Sequence, residues 1–322
     1  MPGKPVSSDG VCCKNPLVRW KCGEWRVVVW PKITVVTPSF NQGRFLEQTI
    51  LSVAGQDYPN LEYFVFDGGS TDDSVEVIRQ HEAKITAWKS EADGGQAKAI
   101  NQAFERSSGE IFCWINSDDF LLPGTLRRVA RWMRETIDRP ALIYGKALLF
   151  REGSEWGKVQ IPGSHDIERL KKIDYIVQPS SFWTKSLWER TGPLDDSMHY
   201  AFDWDWYLRA CQRGTFTFVE DMFAAYRFHA DHKTSAGKED RWSEMVEVIR
   251  RHGRPDILEH YKFMYKNRHR WETISFRMRI YQGFKYCSFP FPNLWADLVV
   301  PQLWNIPPFL DRKLIWELTG LT

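Results

Sequence analysis

The sequence predicts an α/β fold, a mostly parallel central sheet wrapped by helices. Three observations carry that expectation. Strand-like and helix-like segments alternate four times between Ile33 and Ile115, the pattern of a parallel sheet with crossover helices. The strand-like runs end in polar loops rich in Gly, Ser, Asn or Asp, so these loops gather along one sheet edge. The run Cys113-Trp114-Ile115-Asn116-Ser117-Asp118-Asp119 is apolar and then stops abruptly in adjacent carboxylates, at the edge where open α/β sheets bind ligands.

Ile33–Thr37 is a short β-branched strand closing on Pro38-Ser39-Phe40-Asn41-Gln42-Gly43. Phe45, Leu46, Ile50, Leu51 and Val53 then supply the apolar face of a helix from Arg44 to Gln56. After the Tyr58-Pro59-Asn60 turn, a second strand, Leu61–Phe66, runs into Asp67-Gly68-Gly69-Ser70-Thr71-Asp72-Asp73. Ser70 or Thr71 would cap the next helix there, with Asp72 and Asp73 in its first turn. A third strand between Lys84 and Ser90 precedes Asp93-Gly94-Gly95-Gln96 and a helix from Ala97 to Arg106, and Ile111–Ile115 completes the alternation. Beyond it, Ala141–Phe150 reads as a strand pair or an extended segment and 151–166 as loop. Trp183–Thr191 and Trp204–Arg213 read as helices and Thr215–Val219 as a strand. From about Lys238 the chain turns to basic, aromatic helices and a Pro/Trp-rich tail. The expected division is an extension over 1–30, an α/β domain over 31–237 and a helical region over 238–322.

A chain of 322 residues with 43% hydrophobic content can bury a large core. A net charge of +2 gives no reason to expect nucleic acid. No apolar run approaches the ~20 residues of a membrane span, and Met1–Gly10 lacks the apolar core of a secretory signal, so the expected location is the cytoplasm. Cys12, Cys13, Cys22, Cys113, Cys211 and Cys287 form no paired motif and read as reduced thiols. Sixteen tryptophans fit either a sugar-stacking or partner-facing surface or an aromatic core.

Two neighbouring carboxylates repel unless a cation lies between them. Oxygen ligands favour Mg2+ or Mn2+ shared with substrate phosphates, which makes Asp118 and Asp119 candidate metal ligands. The alternative is a helix N-terminus opening at Pro123-Gly124-Thr125-Leu126.

Six segments, in order over roughly residues 32–235, resemble the inverting family 2 glycosyltransferases. Ile33–Asn41 is similar to their opening strand and loop, Phe66–Asp72 to the second nucleotide-binding loop, and Ser90–Gln96 with Ala99-Ile100-Asn101 to the third. Asn116-Ser117-Asp118-Asp119 resembles the DXD-type metal motif, with Asn116 at its usual first acidic position. Phe202-Asp203-Trp204-Asp205-Trp206 resembles the helix start that carries the base, with Phe202 where an acid normally precedes, and Tyr226-Arg227-Phe228-His229 a later histidine segment that completes the metal site.

The resemblance implies a GT-A fold and transfer of a sugar from a nucleotide-sugar to a hydroxyl of a saccharide or lipid-linked acceptor, in polysaccharide or glycolipid biosynthesis. UDP- or GDP-sugars are expected rather than dTDP-sugars. Pro38, Ser39, Phe40 and Asn41 would meet base and ribose. Asp67 would accept from base or ribose, or cap the helix starting at Ser70. Asp93 precedes two glycines that permit close backbone approach, or forms a plain Asp-Gly turn. Gln96, Asn116, Ser117 and Asp118 belong to the donor side, and Lys98 is a phosphate contact or a solvated helix lysine. Asp118, Asp119 and His229 would hold Mn2+ or Mg2+, with His232 the second choice in its segment. Inversion needs a base opposite the leaving group, so Asp203 is the first candidate and Asp205, two residues on, the other. Gln178-Pro179-Ser180-Ser181 falls on the acceptor side by the same resemblance.

The stretch 261–310 interleaves Lys262, Lys266, Arg268, Arg270, Arg277, Arg279 and Lys285 with aromatic residues. That suits peripheral contact with the inner face of a membrane, or packing on the catalytic domain or a second subunit of a homo-oligomer. Two other functions stay open on the sequence: a nucleotidyltransferase, and a non-catalytic carbohydrate-binding or scaffold protein.

Overall fold

A computed structural model describes residues 29–233 and 238–266. The N-terminal extension up to residue 28, Cys12, Cys13, Cys22 and Cys287, and the tail beyond Lys266 lie outside the described residues. The described residues from Pro31 onward fold as one compact unit.

Strands β1 (Ile33–Ser39), β2 (Leu61–Asp67), β3 (Ala87–Ser90) and β4 (Ile111–Trp114) pair in parallel in the order β3-β2-β1-β4. β1 is buried along its whole length, Thr34 and Thr37 included, and so shows no apolar/polar alternation. Helices α1 (Gly43–Ala54), α2 (Ser74–Gln80) and α3 (Gln96–Glu105) fill the crossovers. The chain steps outward from β1 to β2 and β3, then returns to β4 on the far side of β1. Strand order therefore reverses between β1 and β4, and a crevice opens at their carboxyl ends.

The sheet continues through β8 (Ser181–Thr184), β6 (Ala141–Arg151), β9 (Thr215–Phe228) and β5 (Phe120–Leu121), with β7 (Gly157–Gln160) on β6. β1–β4, β6 and β9 run one way and β5, β7 and β8 the other, so the sheet is mostly parallel. Helices α4 (Thr125–Met133), α5 (Ile167–Leu170), α6 (Lys185–Thr191), α7 (Phe202–Ala210), α8 (Lys238–His252) and α9 (Pro255–Lys266) complete the order.

Several boundaries differ from the sequence reading. The helix expected to be capped by Ser70 or Thr71 starts at Ser74, because Asp72 accepts from Ser74 N at 3.0 Å and holds the preceding turn open. Residues 82–84 form a short 3-10 turn, and β3 begins only at Ala87. Ala141–Arg151 is one strand whose register slips around Gly145 and Lys146, a bulge that breaks the alternation. The expected loop 151–166 contains β7. Trp183 belongs to β8, which turns straight into α6 where Thr184 accepts from Leu187 N. β9 runs nine residues past Val219, to Phe228.

Much of the tryptophan is core. Trp183 stands 5.3 Å from Trp114 and 4.9 Å from Trp206, and Trp188 lies 4.8 Å from Phe104 between ring centroids. This cluster joins β4, β8, α3, α6 and α7 beneath the crevice. Trp132 and Trp156 are exposed.

Candidate active site

A cavity of about 600 Å3 opens at the β1/β4 switch. Its walls come from the loops after β1, β2, β3 and β4, the start of α7, and the segment after β9. Five buried side-chain polar atoms among the described residues lack a hydrogen-bond partner. Three of those residues, Ser39, Gln42 and His232, line this cavity. Buried polar groups are otherwise satisfied, so this clustering marks a surface built for a ligand.

Pro38, Ser39 and Phe40 line the mouth, and Phe40 is 61% exposed. Asn41 adopts φ 51°, a left-handed conformation that Asn tolerates. Its side chain accepts from Thr71 N at 2.8 Å while its own N–H donates to Ser70 Oγ at 2.7 Å. Asn41 thus pins the β1 loop to the β2 loop. Asp67 is fully buried and turned inward, accepting from Gly69 N, Ser70 N and Ser90 Oγ at 3.1, 2.8 and 2.7 Å. Its carboxylate organises the loop and does not line the cavity.

Asp93 does line it, and accepts from Gly95 N at 2.8 Å. Gly94 and Gly95 take φ of 79° and 121°, where side chains are strained. A Cβ on Gly68 would lie 3.2 Å from the Asp93 carboxylate and 3.3 Å from the Phe40 ring, so glycine there lets the two loops meet. Lys98 is exposed, packs against Gly94 and stands outside the lining residues. Gln96 bridges the site, donating to Asn116 Oδ1 at 2.8 Å and accepting from Lys233 Nζ at 2.7 Å.

The acidic pair at the end of β4 splits. Asp118 lines the cavity; its Oδ2 is 3.0 Å from His229 Nε2. Asp119 points inward, accepting from Arg227 N at 2.9 Å. Burial, and then the charge of Asp118, push the Asp119 carboxyl well above the ordinary range. Thr49 Oγ1 lies 2.9 and 2.6 Å from the carbonyl oxygens of Ser117 and Asp119, tying this loop to α1. The Arg227 guanidinium donates to the Asp118 carbonyl at 2.9 Å and to Gln48, supporting the loop from beneath.

Among the described residues no three His, Cys, Asp or Glu side chains converge to hold a metal by themselves. Arg44 can only donate, and its NH2 is 3.3 Å from His229 Nδ1. The pattern assigns the ring proton of His229 to Nε2, which donates to Asp118. His229 in this arrangement orients Asp118. His232 offers the freer nitrogen: its Nδ1 is buried and unpartnered, and burial holds the ring below its ordinary pKa, neutral. His229 and His232 stand beside Asp118, their ring centroids 5.6 Å apart, and carboxylate and imidazole donors suit a cation that takes its remaining ligands from phosphate oxygens.

Asp203 sits in the first turn of α7 and faces the cavity. Burial raises its pKa to about 6, against the Trp204 N–H, which donates to it at 2.8 Å, and the positive charges of Lys233 and Arg241. Asp205 is 2% exposed and faces away, bonded to Arg209 Nε and His252 Nε2, each at 2.8 Å. Burial alone would push Asp205 up, but those partners outweigh it and hold it below the ordinary carboxylate range. The cavity therefore contains one of the two candidate bases.

The Glycosyl transferase family 2 profile matches residues 34–187, the segment from β1 into α6. Residues 34–187 form a glycosyltransferase family 2 domain. An uncharacterized glycosyltransferase of Rickettsia prowazekii is 21% identical over 232 residues, covering 68% of this chain and 73% of that one. S. aureus TarS 1–349 in complex with UDP-GlcNAc superposes with TM-score 0.57 at 18% identity, over 74% of this chain and 72% of TarS 1–349. The match covers only 39% of the longer TarS chain. The mannosyltransferase PcManGT from Pyrobaculum calidifontis, in complex with GDP-Man and Mn2+, superposes with TM-score 0.53 at 16% identity, over 91% of this chain and 80% of that one. These likenesses give the GT-A fold. The family 2 domain and the relatives named as glycosyltransferases support glycosyl transfer over nucleotidyl transfer or carbohydrate binding alone.

The cavity also has lining residues to which the sequence reading gave no role. Lys233 lines the cavity, is mostly buried, and makes no ion pair among the described residues. His199, Tyr200 and Phe202 complete the wall beside Asp203. A lysine four residues after His229 carries no motif; its one signal is nearness to that segment. Gln178 lines the cavity as expected, donating to the Trp114 carbonyl at 2.8 Å.

Proposed function

We propose that the cavity binds a UDP- or GDP-sugar together with Mg2+ or Mn2+, and transfers the sugar with inversion to a hydroxyl of a saccharide or lipid-linked acceptor. The observation that carries this reading is a single cavity lined by both Asp118, at the end of β4, and Asp203, at the start of α7. UDP-GlcNAc on TarS and GDP-Man with Mn2+ on PcManGT support a nucleotide-sugar donor and a divalent cation.

Pro38, Ser39, Phe40 and Asp93 line the donor side. Asp118 and His232 would hold the cation. When bound, it supplies positive charge against which a departing diphosphate is stabilised without a proton donor. Lys233 lines the same cavity; burial lowers its pKa, and the charges of Glu244, Asp203 and Asp118 oppose that shift. Asp203 takes the proton of the acceptor hydroxyl. That oxygen forms the new bond to the anomeric carbon from the face opposite the diphosphate, and the leaving oxygen keeps the electron pair of the broken bond. No helix among the described residues is long and apolar enough to cross a membrane.

A thermal-shift panel of nucleoside diphosphates tests the donor side, because a ligand that binds only the folded state raises Tm. UDP or GDP should raise Tm clearly with Mn2+ and weakly without it, and Asp118→Ala should lose the Mn2+-dependent part. A flat response to every nucleotide would sink the proposal.

A further inference from the structure

Helix α8 brings three side chains on one face, at 244, 251 and 252, against the segment that leads into α7. Arg251 pairs with Asp195 at 2.6 Å, and His252 with Asp205 at 2.8 Å. Between these two braces, the Glu244 carboxylate accepts from three successive backbone groups: His199 N at 2.7 Å, Tyr200 N at 2.7 Å and Ala201 N at 2.9 Å. Ala201, the N-cap residue of α7, has no side chain that can accept a capping bond. A carboxylate from a distant helix thus fills the place a local cap would take, where consecutive N–H groups and the helix dipole both favour negative charge. The next residues along are Phe202 and Asp203. Lys233, whose ammonium lies 5.6 Å from the Tyr200 ring and 5.5 Å from the Phe202 ring, rests on the same wall.

We propose that Glu244 is a positioning residue for sugar transfer: by gathering the N–H groups of His199, Tyr200 and Ala201 it fixes where α7 begins, and with it Asp203 and the acceptor-side wall of the cavity. The proposal rests on the reading of Asp203 as the base. It makes α8 part of the catalytic apparatus, although the family profile ends at 187. None of Glu244's hydrogen bonds reaches the loops after β1, β2, β3 or β4, so its effect should fall on turnover and spare donor affinity. A Gln in its place presents one carbonyl oxygen and an NH2 group to three donors, and removes the charge.

The test uses the full chain with UDP-GlcNAc and GDP-mannose in Mn2+. Release of UDP or GDP gives kcat, and calorimetric titration with UDP or GDP gives Kd. For Glu244→Gln the expected result is a kcat at least tenfold lower, a Kd within twofold of the parent and a cooperative unfolding transition. An unchanged kcat overturns the proposal. So does a parallel loss of kcat, Kd and Tm, which marks a purely structural residue. Should Glu244→Gln not fold, Glu244→Asp keeps the charge one methylene shorter; a lower kcat at constant Kd is again expected, and an unchanged kcat again overturns it. Asp203→Asn is measured alongside: full activity there removes the base reading itself, a different result from parent-like kcat in the Glu244 variants.

Discussion

At Asp203 stability and reactivity pull in opposite directions. The proposed base must be ionised to accept a proton, yet burial favours the protonated form and raises the carboxyl to about 6. Below that pH the carboxylate is lost, so the turnover rate should fall about tenfold per pH unit beneath 6 while nucleotide binding falls less. The stability sign follows from linkage. The folded state still holds a proton that the unfolded chain, with an ordinary carboxyl pKa near ~4, has already released. Stability therefore drops as pH rises from ~4 through 6, and an uncharged residue escapes that loss. Asp203→Asn should melt above the parent at pH 7.5, with the gap closing by pH 4; thermal melts across that range check it, and a lower Tm at pH 7.5 contradicts it. Which acid faces the cavity was only half legible in the chain. Asp203 and Asp205 separate by helical geometry, since positions two apart on a helix do not share a face. Asp118 and Asp119 sit on a loop with no period, and only tertiary contacts turn one outward and the other in.

The elements show a similar division. Loops that end parallel strands were legible because their chemistry is local: Asp67 bonding its own loop and Gly94–Gly95 with positive φ write themselves into Gly- and Asp-rich runs. β6 and β9 were not, because their pairing spans some seventy residues and slips register at a bulge. Gly145 sits in that bulge, and a Cβ there would collide with the Asp221 carbonyl and the Phe223 ring. Gly145→Ala should cost about 2 kcal/mol, as overpacking in a closed site does, visible as a lower midpoint in urea denaturation. An unchanged midpoint would mean that the bulge relaxes freely. The role of α8 was hidden for a related reason. Glu244 lies in a stretch that reads as generic basic helix, and its three partners are backbone groups that leave no pattern in the chain.

Across the whole molecule, two constructions meet at one crevice. The parallel half, β3-β2-β1-β4, supplies the loops that carry Asp93 and Asp118; the mixed half, through α7, the segment after β9 and α8, supplies Asp203, Lys233 and the brace beside them. The first half is the part that a single sequence announces, through repeated strand–loop–helix units. The second depends on aromatic packing of Trp183, Trp188 and Trp206 beneath the site, which composition signalled only as an excess of tryptophan. If the halves divide the work in this way, binding and turnover can be separated by one substitution. The measurement that asks this most directly is a paired titration and product-release assay on Asp203→Asn, with the preferred nucleotide-sugar and Mn2+. The account predicts donor affinity within about threefold of the parent and turnover reduced by about 10²–10⁴, the usual contribution of a general base. Turnover at the parent rate, or no nucleotide binding by either protein, would contradict it.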